Sequence, residues 1–112
     1  MTTKYRAKRT VVDGHTFASK AEAAYYKKLR ALAAAGKIGA LELQPRFELQ
    51  GAFTDRDGVK HRKIEYVADF SYFDIASGQW HVVDVKGMRT EVFKLKKKLL
   101  LYKQRDFVFE EV

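Results

Sequence analysis

The stretch Trp80-His81-Val82-Val83-Asp84-Val85-Lys86-Gly87 decides the fold of this chain. Its three valines favour a β-strand, and the glycine ends it. Both faces are mostly apolar, which predicts a strand inside a sheet with Trp80 in the core rather than available for base stacking. Side chains alternate along a strand, so Asp84 and Lys86 share one face at its end. Taken alone, this pair is most simply an ion pair, because unpaired charges there are costly to desolvate.

The segment before this strand carries a second acid. Residues Lys63 to Asp74 predict a strand, and Asp69 is an acid within a segment that is apolar on both faces. Ser77-Gly78 turns the chain, so the two strands should be antiparallel neighbours with Asp69 beside Asp84. Two carboxylates and an ammonium at one sheet end could hold Mg²⁺ against a phosphate, because Mg²⁺ prefers oxygen ligands.

The N-terminal third predicts a hairpin followed by a helix. The hairpin turns at Asp13-Gly14, and Ser19 with Glu22 three residues on forms a capping box at the start of the helix. Gly36 ends this helix near Ala35. Its buried stripe is expected to contain Ala21, Tyr25, Leu29 and Leu32.

The remaining segments predict an outer strand, a turn, a second helix and a last strand. Leu41 to Gln50 alternates and contains a proline, as outer strands do, and Asp57-Gly58 marks the tip of a long hairpin. Thr90 caps a helix over Glu91–Lys103, and Phe107-Val108-Phe109 forms a short strand. We expect Val92, Leu95, Leu99 and Tyr102 to face inward on the second helix, and Lys94, Lys97 and Lys98 to point mostly outward.

Composition and charge restrict the class of protein. The 112 residues, 46% of them apolar, predict one globular domain over residues 1–112 that begins with a basic arm over residues 1–10. The absence of cysteine excludes disulfides and thiolate zinc sites and fits a cytoplasmic protein. No apolar run reaches membrane-spanning length. The net charge of +8 indicates a polyanionic partner, and nucleic acid fits better than a membrane.

The positive charge lies in two clusters that we predict to bind nucleic-acid phosphates. The N-terminal cluster contains Lys4, Arg6, Lys8 and Arg9, and the cluster near the second helix contains Arg89, Lys94, Lys97 and Lys98. A solvated helix face would explain part of the second cluster. Gln44, Arg46 and Tyr26 are further candidate substrate contacts, although packing explains each of them equally well.

With these residues in place, the chain resembles the PD-(D/E)xK nuclease superfamily over most of its length. The four-residue pattern is filled by Glu22 on the first helix, Asp69 in Val67-Ala68-Asp69-Phe70, and Asp84-Val85-Lys86. Ala68 stands where the superfamily's name-giving proline would be. The segments Phe17–Glu22, Leu43-Gln44-Pro45 and Tyr66–Phe70 are similar to short phage-encoded, Holliday-junction-resolvase-like members. The resemblance implies a restriction-endonuclease-like αβββαβ core, an α/β fold with a mixed sheet flanked by two helices.

The resemblance also implies a role for each site residue. Asp69, Asp84 and the Val85 carbonyl would bind Mg²⁺, with Mn²⁺ as a substitute, and Glu22 would bind directly, through water or through a second ion. The capping box is the alternative explanation for Glu22. Lys86 would orient the attacking water or stabilise the transition state. Two neighbouring carboxylates raise the pKa of an ammonium, so electrostatic stabilisation is favoured over general-base catalysis.

We therefore expect an Mg²⁺-dependent DNA endonuclease that hydrolyses phosphodiester bonds in branched or structured DNA, in the host cytoplasm if it is phage-encoded. A small chain has no room for a separate sequence-reading domain, and a homodimer would supply two active sites for two strands. The alternative is a non-catalytic nucleic-acid-binding protein that retains the nuclease fold. An RNA-directed or purely structural basic protein is a third possibility, which the buried acids disfavour.

Overall fold

The computed structural model describes residues 9–85 and 89–112, so predictions for Lys4, Arg6, Lys8 and Lys86 lie outside the described residues. In this part the chain forms two helices and ten strands. The helices are α1 (Lys20–Ala34) and α2 (Glu91–Lys103). The strands are β1 (Thr10–Val12), β2 (His15–Phe17), β3 (Ile38–Leu43), β4 (Arg46–Gln50), β5 (Phe53–Thr54), β6 (Lys60–His61), β7 (Ile64–Val67), β8 (Phe70–Asp74), β9 (Gln79–Asp84) and β10 (Phe107–Glu111).

Four strands form a mixed sheet in the order β10-β9-β8-β3. Strand β8 runs antiparallel to β9 and β3, whereas β10 runs parallel to β9. The valine-rich strand β9 therefore lies inside the sheet and β3 lies at its edge, and both placements confirm the sequence predictions. The protein is a mixed α/β fold with a mixed sheet and two helices among the described residues.

The two helices pack on opposite faces of this sheet. Val83 belongs to the buried cluster that contains Leu29 of α1, whereas its neighbour Val82 belongs to the cluster that contains Leu100 of α2. Consecutive strand residues point to opposite faces, so α1 and α2 cover different sides of β9. Neither helix in the described part is long and apolar enough to cross a membrane.

Two predicted long strands are each broken in the middle. Leu41 to Gln50 divides between β3 and β4 at Gln44-Pro45, where Gln44 has a φ of 50°. Lys63 to Asp74 divides between β7 and β8 at Ala68-Asp69. Each break lets one half pair in the main sheet and the other half pair as β4–β7, which extends into β5–β6 and turns at Asp57-Gly58. The long hairpin is thereby confirmed.

Helix α1 begins and ends where its capping residues predict. The Ser19 hydroxyl accepts a hydrogen bond from the Glu22 amide at 3.1 Å, and Gly36 follows the helix with a φ of 73°. The predicted buried stripe is only partly correct. Leu29 is buried and Tyr25 and Leu32 pack against the core, but Ala21 is exposed, and Ala23 and Tyr26 are buried in the interior.

Helix α2 has the predicted bounds and cap, with Thr90 accepting from the Phe93 amide at 3.0 Å. Its orientation, however, differs from the prediction. The residues expected inside are exposed, with Val92 at 62%, Leu95 at 59%, Leu99 at 39% and Tyr102 at 72%. Instead, Phe93 and Leu100 face the core, because Tyr66 of β7 contacts Phe93 and Leu100 lies in the buried cluster that contains Val82. Because residues 99–101 are all leucine, the helix can turn either of two sides toward the core and still bury an apolar side chain there.

Trp80 also departs from its predicted place in the core. It lies in the sheet opposite Phe73 and Phe107, but 47% of its surface is exposed. The physical reason is that the chain covers this end of the sheet incompletely: α2 ends at Lys103, and the side chains that it buries lie nearer to Val82.

Candidate metal centre and nucleic-acid interface

The two predicted metal-binding aspartates lie side by side at the end of β8 and β9. Phe70 pairs with Val83 in the sheet, which places Asp69 and Asp84 in adjacent positions. The Asp69 amide donates to Asp84 Oδ1 at 3.1 Å, and the Val85 amide donates to Asp69 Oδ2 at 2.7 Å. Each carboxylate thus accepts a backbone hydrogen bond from the neighbouring strand, and this exchange holds both side chains in place.

Asp84 is completely buried. Besides the Asp69 amide, the hydroxyl of Tyr66 donates to its other oxygen, Asp84 Oδ2. A buried carboxylate needs such donors because its transfer from water is otherwise very costly. Tyr66, itself buried on β7, is a site residue that sequence reasoning did not single out. Its alternation with Ala68 and Phe70 indicated burial, but its contact with Asp84 depends on the break after β7.

Backbone hydrogen bonds between the segments Gln44-Pro45 and Ala68-Asp69 hold Asp69 in place. The Gln44 amide donates to the Asp69 carbonyl at 2.9 Å, and the Ala68 amide donates to the Pro45 carbonyl at 3.1 Å. The positive φ of Gln44 is unusual for a residue with a side chain, and such backbone conformations persist only where surrounding contacts hold them. Gln44-Pro45 therefore connects the edge of the sheet to the aspartate.

Glu22 and Asp69 line one open cavity of about 140 Å³. Both residues are half-buried. Gln44 lies in the same cavity wall, so the structure brings together three of the predicted site residues. His15 and Thr16 of the β1–β2 hairpin also line this cavity, and sequence reasoning missed them. The Asp13-Gly14 turn indicated the hairpin but not that it packs beside the start of α1.

The donor set of this cavity fits a hard divalent ion, because Glu22 and Asp69 offer carboxylate oxygens and Gln44 an amide oxygen. Asp84 does not line the cavity, but it holds Asp69 in position by accepting a hydrogen bond from the Asp69 amide. Among residues 9–85 and 89–112, no three His, Asp or Glu side chains are grouped closely enough to form a metal cluster.

The predicted DNA-binding residues of the second cluster surround a different cavity, of about 450 Å³. Its wall includes Arg89, Lys94, Lys97 and Lys98 together with Glu111. Glu111 forms ion pairs with Arg89, at 2.6 Å, and with Lys97. Lys97 also lies over the ring of Phe109, so the prediction that it points outward is wrong. Lys94 and Lys98 are exposed, and Lys94 forms an ion pair with Glu91 at 3.2 Å on the helix surface.

The other candidate contacts differ in accessibility. Arg9 is exposed, and Arg46 is exposed while forming an ion pair with Glu65 at 3.2 Å. Tyr26 is only 4% exposed, and its hydroxyl donates to Asp13 Oδ2 at 3.0 Å. Burial and this hydrogen bond therefore account for Tyr26 without a substrate contact.

A second polar network lies on the α1 face of the sheet. The Tyr72 hydroxyl donates to Glu110 Oε2 at 2.8 Å, and His81 Nδ1 lies 2.7 Å from the same oxygen. Burial, and then the hydrogen bond to Glu110, raise the pKa of Tyr72. The rings of Tyr72 and His81 stack at 4.9 Å. This network ties β8, β9 and β10 together away from the aspartates.

The fold and site define a mixed α/β protein with a small carboxylate-lined cavity beside the end of its central strand. The chain belongs to the family described as Protein of unknown function (DUF1064), which matches residues 2–111. No curated protein and no solved structure matches the chain.

Proposed function

We propose that this protein is a metal-dependent DNA endonuclease of the PD-(D/E)xK type. The observation that carries the proposal is the placement of Glu22 and Asp69 around one open cavity, with Asp69 hydrogen-bonded to Asp84 at the end of the central strand. Glu22 comes from the first turn of α1, whereas the aspartates come from two paired strands. Acids that are distant in sequence and converge on a cavity favour a site over chance surface charge.

The order of elements supports the same proposal. With the long hairpin set aside as an insertion, α1, β3, β8, β9, α2 and β10 follow one another as αβββαβ. The acids stand on the first helix, one residue before β8 and at the end of β9, whereas the superfamily pattern has the second acid on the strand itself. Lys86 would follow two residues after Asp84 and would stabilise charge on the phosphate.

A divalent ion bound by Glu22 and Asp69 would lower the pKa of its bound water and neutralise charge on the phosphate oxygens. The chain's own contribution is positional. Asp84 accepts from the Asp69 amide, and the Val85 amide donates to the Asp69 carboxylate. The Tyr66 hydroxyl in turn donates to Asp84. The exposed lysines of α2 would track the phosphate backbone, and structured or branched DNA is the proposed substrate.

The second candidate function is non-catalytic nucleic-acid binding. The burial of Asp84 favours it, since one oxygen accepts from Tyr66 and the other from the Asp69 amide. A carboxylate used in this way serves the protein interior, whereas the nuclease pattern uses this aspartate as a metal ligand. Cleavage assays distinguish the two functions directly.

The test is incubation of the protein with linear, nicked, flapped and four-way-junction DNA in Mg²⁺, Mn²⁺ or EDTA, followed by strand mapping. We expect cleavage that requires metal and falls to the EDTA level in Asp69→Asn, while DNA binding persists. Asp57→Asn is the matched control, because Asp57 lies exposed in the hairpin turn. The endonuclease proposal would be contradicted if Asp69→Asn cleaved as well as wild type. It would also be contradicted if the wild-type protein showed no metal-dependent cleavage of any of these DNAs.

A further inference from the structure

A cavity of about 310 Å³ lies on the α2 side of the sheet and does not include Glu22 or Asp69 in its wall. Trp80 and Phe107, which are neighbours on β9 and β10, form part of its wall together with Phe47. Its volume is at the lower end of the range of about 300–1,000 Å³ that is typical of small-ligand pockets. The cavity is therefore large enough for one planar group but not for a folded partner.

Trp80 presents an aromatic surface in a defined orientation. Phe73 contacts it edge-on, with ring centroids 5.2 Å apart and an angle of 66° between the ring planes. Close to half of the Trp80 surface stays exposed at 47%. An indole that its neighbours orient and leave uncovered can stack a second planar ring, and nucleobases are the planar rings that a DNA-binding protein meets.

The polar groups around the cavity favour a base over a phosphate. Glu42 and Asp106 offer carboxylates, which only accept hydrogen bonds and repel anions, and Arg46, a cation in the same wall, is paired with Glu65 at 3.2 Å. The hydroxyl of Ser71 and the amide of Gln104 add donors and acceptors. Carboxylates match the exocyclic amino groups of adenine, cytosine and guanine, and thymine has no such group.

This cavity and the carboxylate cavity lie on two sides of one backbone segment. Leu43 and Gln44 line the cavity that contains Asp69, whereas Glu42, Pro45 and Arg46 line the cavity that contains Trp80. The hydrogen bond from the Gln44 amide to the Asp69 carbonyl holds this segment in place. The two cavities therefore share the wall formed by residues 42–46.

We infer that the Trp80 cavity binds an unpaired, amino-bearing nucleobase from a nucleotide near the phosphate at Asp69. The inference rests on the proposed function and names the structural feature of its substrate. In a duplex both faces of a base are covered by its neighbours, so only a bulged, flapped or extruded base can stack on Trp80. The cavity thereby selects structured DNA without reading a sequence.

Intrinsic fluorescence tests this inference, because Trp80 is the only tryptophan of the chain. The wild-type protein is titrated in EDTA, where no metal-dependent cleavage occurs, with DNA hairpins that carry one bulged dA, one bulged dT or a fully paired stem. We expect quenching by the bulged dA, weaker quenching by the bulged dT and none by the paired stem. Binding of all three hairpins is followed independently by the anisotropy of a 5′ dye.

Trp80→Ala should reduce the preference for the bulged-dA hairpin over the paired hairpin roughly 10-fold, the scale of stacking one base. Phe53→Ala, which removes an exposed aromatic residue at the far hairpin, is the matched control and should leave this preference unchanged. A variant with Glu42→Gln and Asp106→Asn keeps the aromatic wall. It should lose the preference for dA over dT.

Equal quenching by the paired stem, or an unchanged preference in Trp80→Ala, would overturn the inference. Because all binding is measured in EDTA, these outcomes are independent of cleavage. Selective quenching by a protein that cleaves nothing would support the pocket and contradict the endonuclease proposal. Metal-dependent cleavage by a protein without selective quenching would support the endonuclease proposal and contradict the pocket.

Discussion

Replacing Tyr66 by Phe removes one hydroxyl from the candidate site and leaves the ring in place. That hydroxyl donates to the carboxylate of Asp84, which is completely buried. Tyr66 itself is only 3% exposed, so water has little access to replace the lost donor. Tyr66→Phe therefore leaves a buried charged group with one hydrogen bond fewer.

The size of the effect follows from this geometry. A hydrogen bond to a charged group contributes about 1.5–3 kcal/mol, and the burial of Asp84 places this bond toward the upper end. We expect Tyr66→Phe to lower the free energy of unfolding by about 2–3 kcal/mol. For a domain of this size each kcal/mol corresponds to a fall in Tm of about 4 °C, so Tm should drop by roughly 8–12 °C.

Urea unfolding followed by circular dichroism measures the change, with Tyr102→Phe as the matched control. Tyr102 is 72% exposed, and its variant should lie within about 0.5 kcal/mol of wild type. A double-mutant cycle with Asp84→Asn should show a coupling of at least about 1 kcal/mol between the two side chains. If Tyr66→Phe is as stable as Tyr102→Phe, Tyr66 does not support the buried carboxylate, and our account of the site is wrong.

Three further predictions test the site and the sheet. Glu22→Gln should keep the free energy of unfolding within about 1 kcal/mol of wild type, because the Ser19 hydroxyl caps the helix by accepting from the Glu22 backbone amide. The same variant should lose metal-dependent cleavage in single-turnover assays, and normal turnover would leave Glu22 as a helix-capping residue only. Replacing Lys94 and Lys98 by Ala should flatten the dependence of log K on log salt for duplex DNA by up to about two, as salt titrations would show, whereas an unchanged slope would indicate a solvated helix face. The raised pKa of Tyr72 means that its stabilising contribution is present below its unfolded pKa of about 10 and is lost as pH rises above that value. Tyr72→Phe should therefore weaken the alkaline loss of stability in melts between about pH 9 and pH 11, and an identical alkaline profile would contradict this assignment.

Local sequence chemistry predicted the ends of both helices and several turns. Ser19 and Thr90 cap α1 and α2, Gly36 follows α1, and Asp13-Gly14 forms the first turn. These features depend on residues within three or four positions of one another, so the sequence contains the information that they need. The adjacency of Asp69 and Asp84 was predictable for a similar reason, since a short turn and the two-residue period of strands determine their register.

Helix orientation was not predictable in the same way. Helix α2 has apolar residues on more than one side, and either stripe satisfies helical periodicity. Packing of Phe93 and Leu100 against β7, β9 and β10 decided between them. The same packing left Trp80 half-exposed, although its position in a central strand predicted burial.

The sequence by itself thus determined the acids, their order on the elements and the basic character of the chain. Only the tertiary structure brought Glu22 and Asp69 to one cavity, buried Asp84 under Tyr66 and opened a second cavity at Trp80. The physical reason is the distance along the sequence over which each interaction acts. Caps, turns and strand register depend on neighbouring residues, whereas burial and cavity shape depend on which distant surfaces exclude water together.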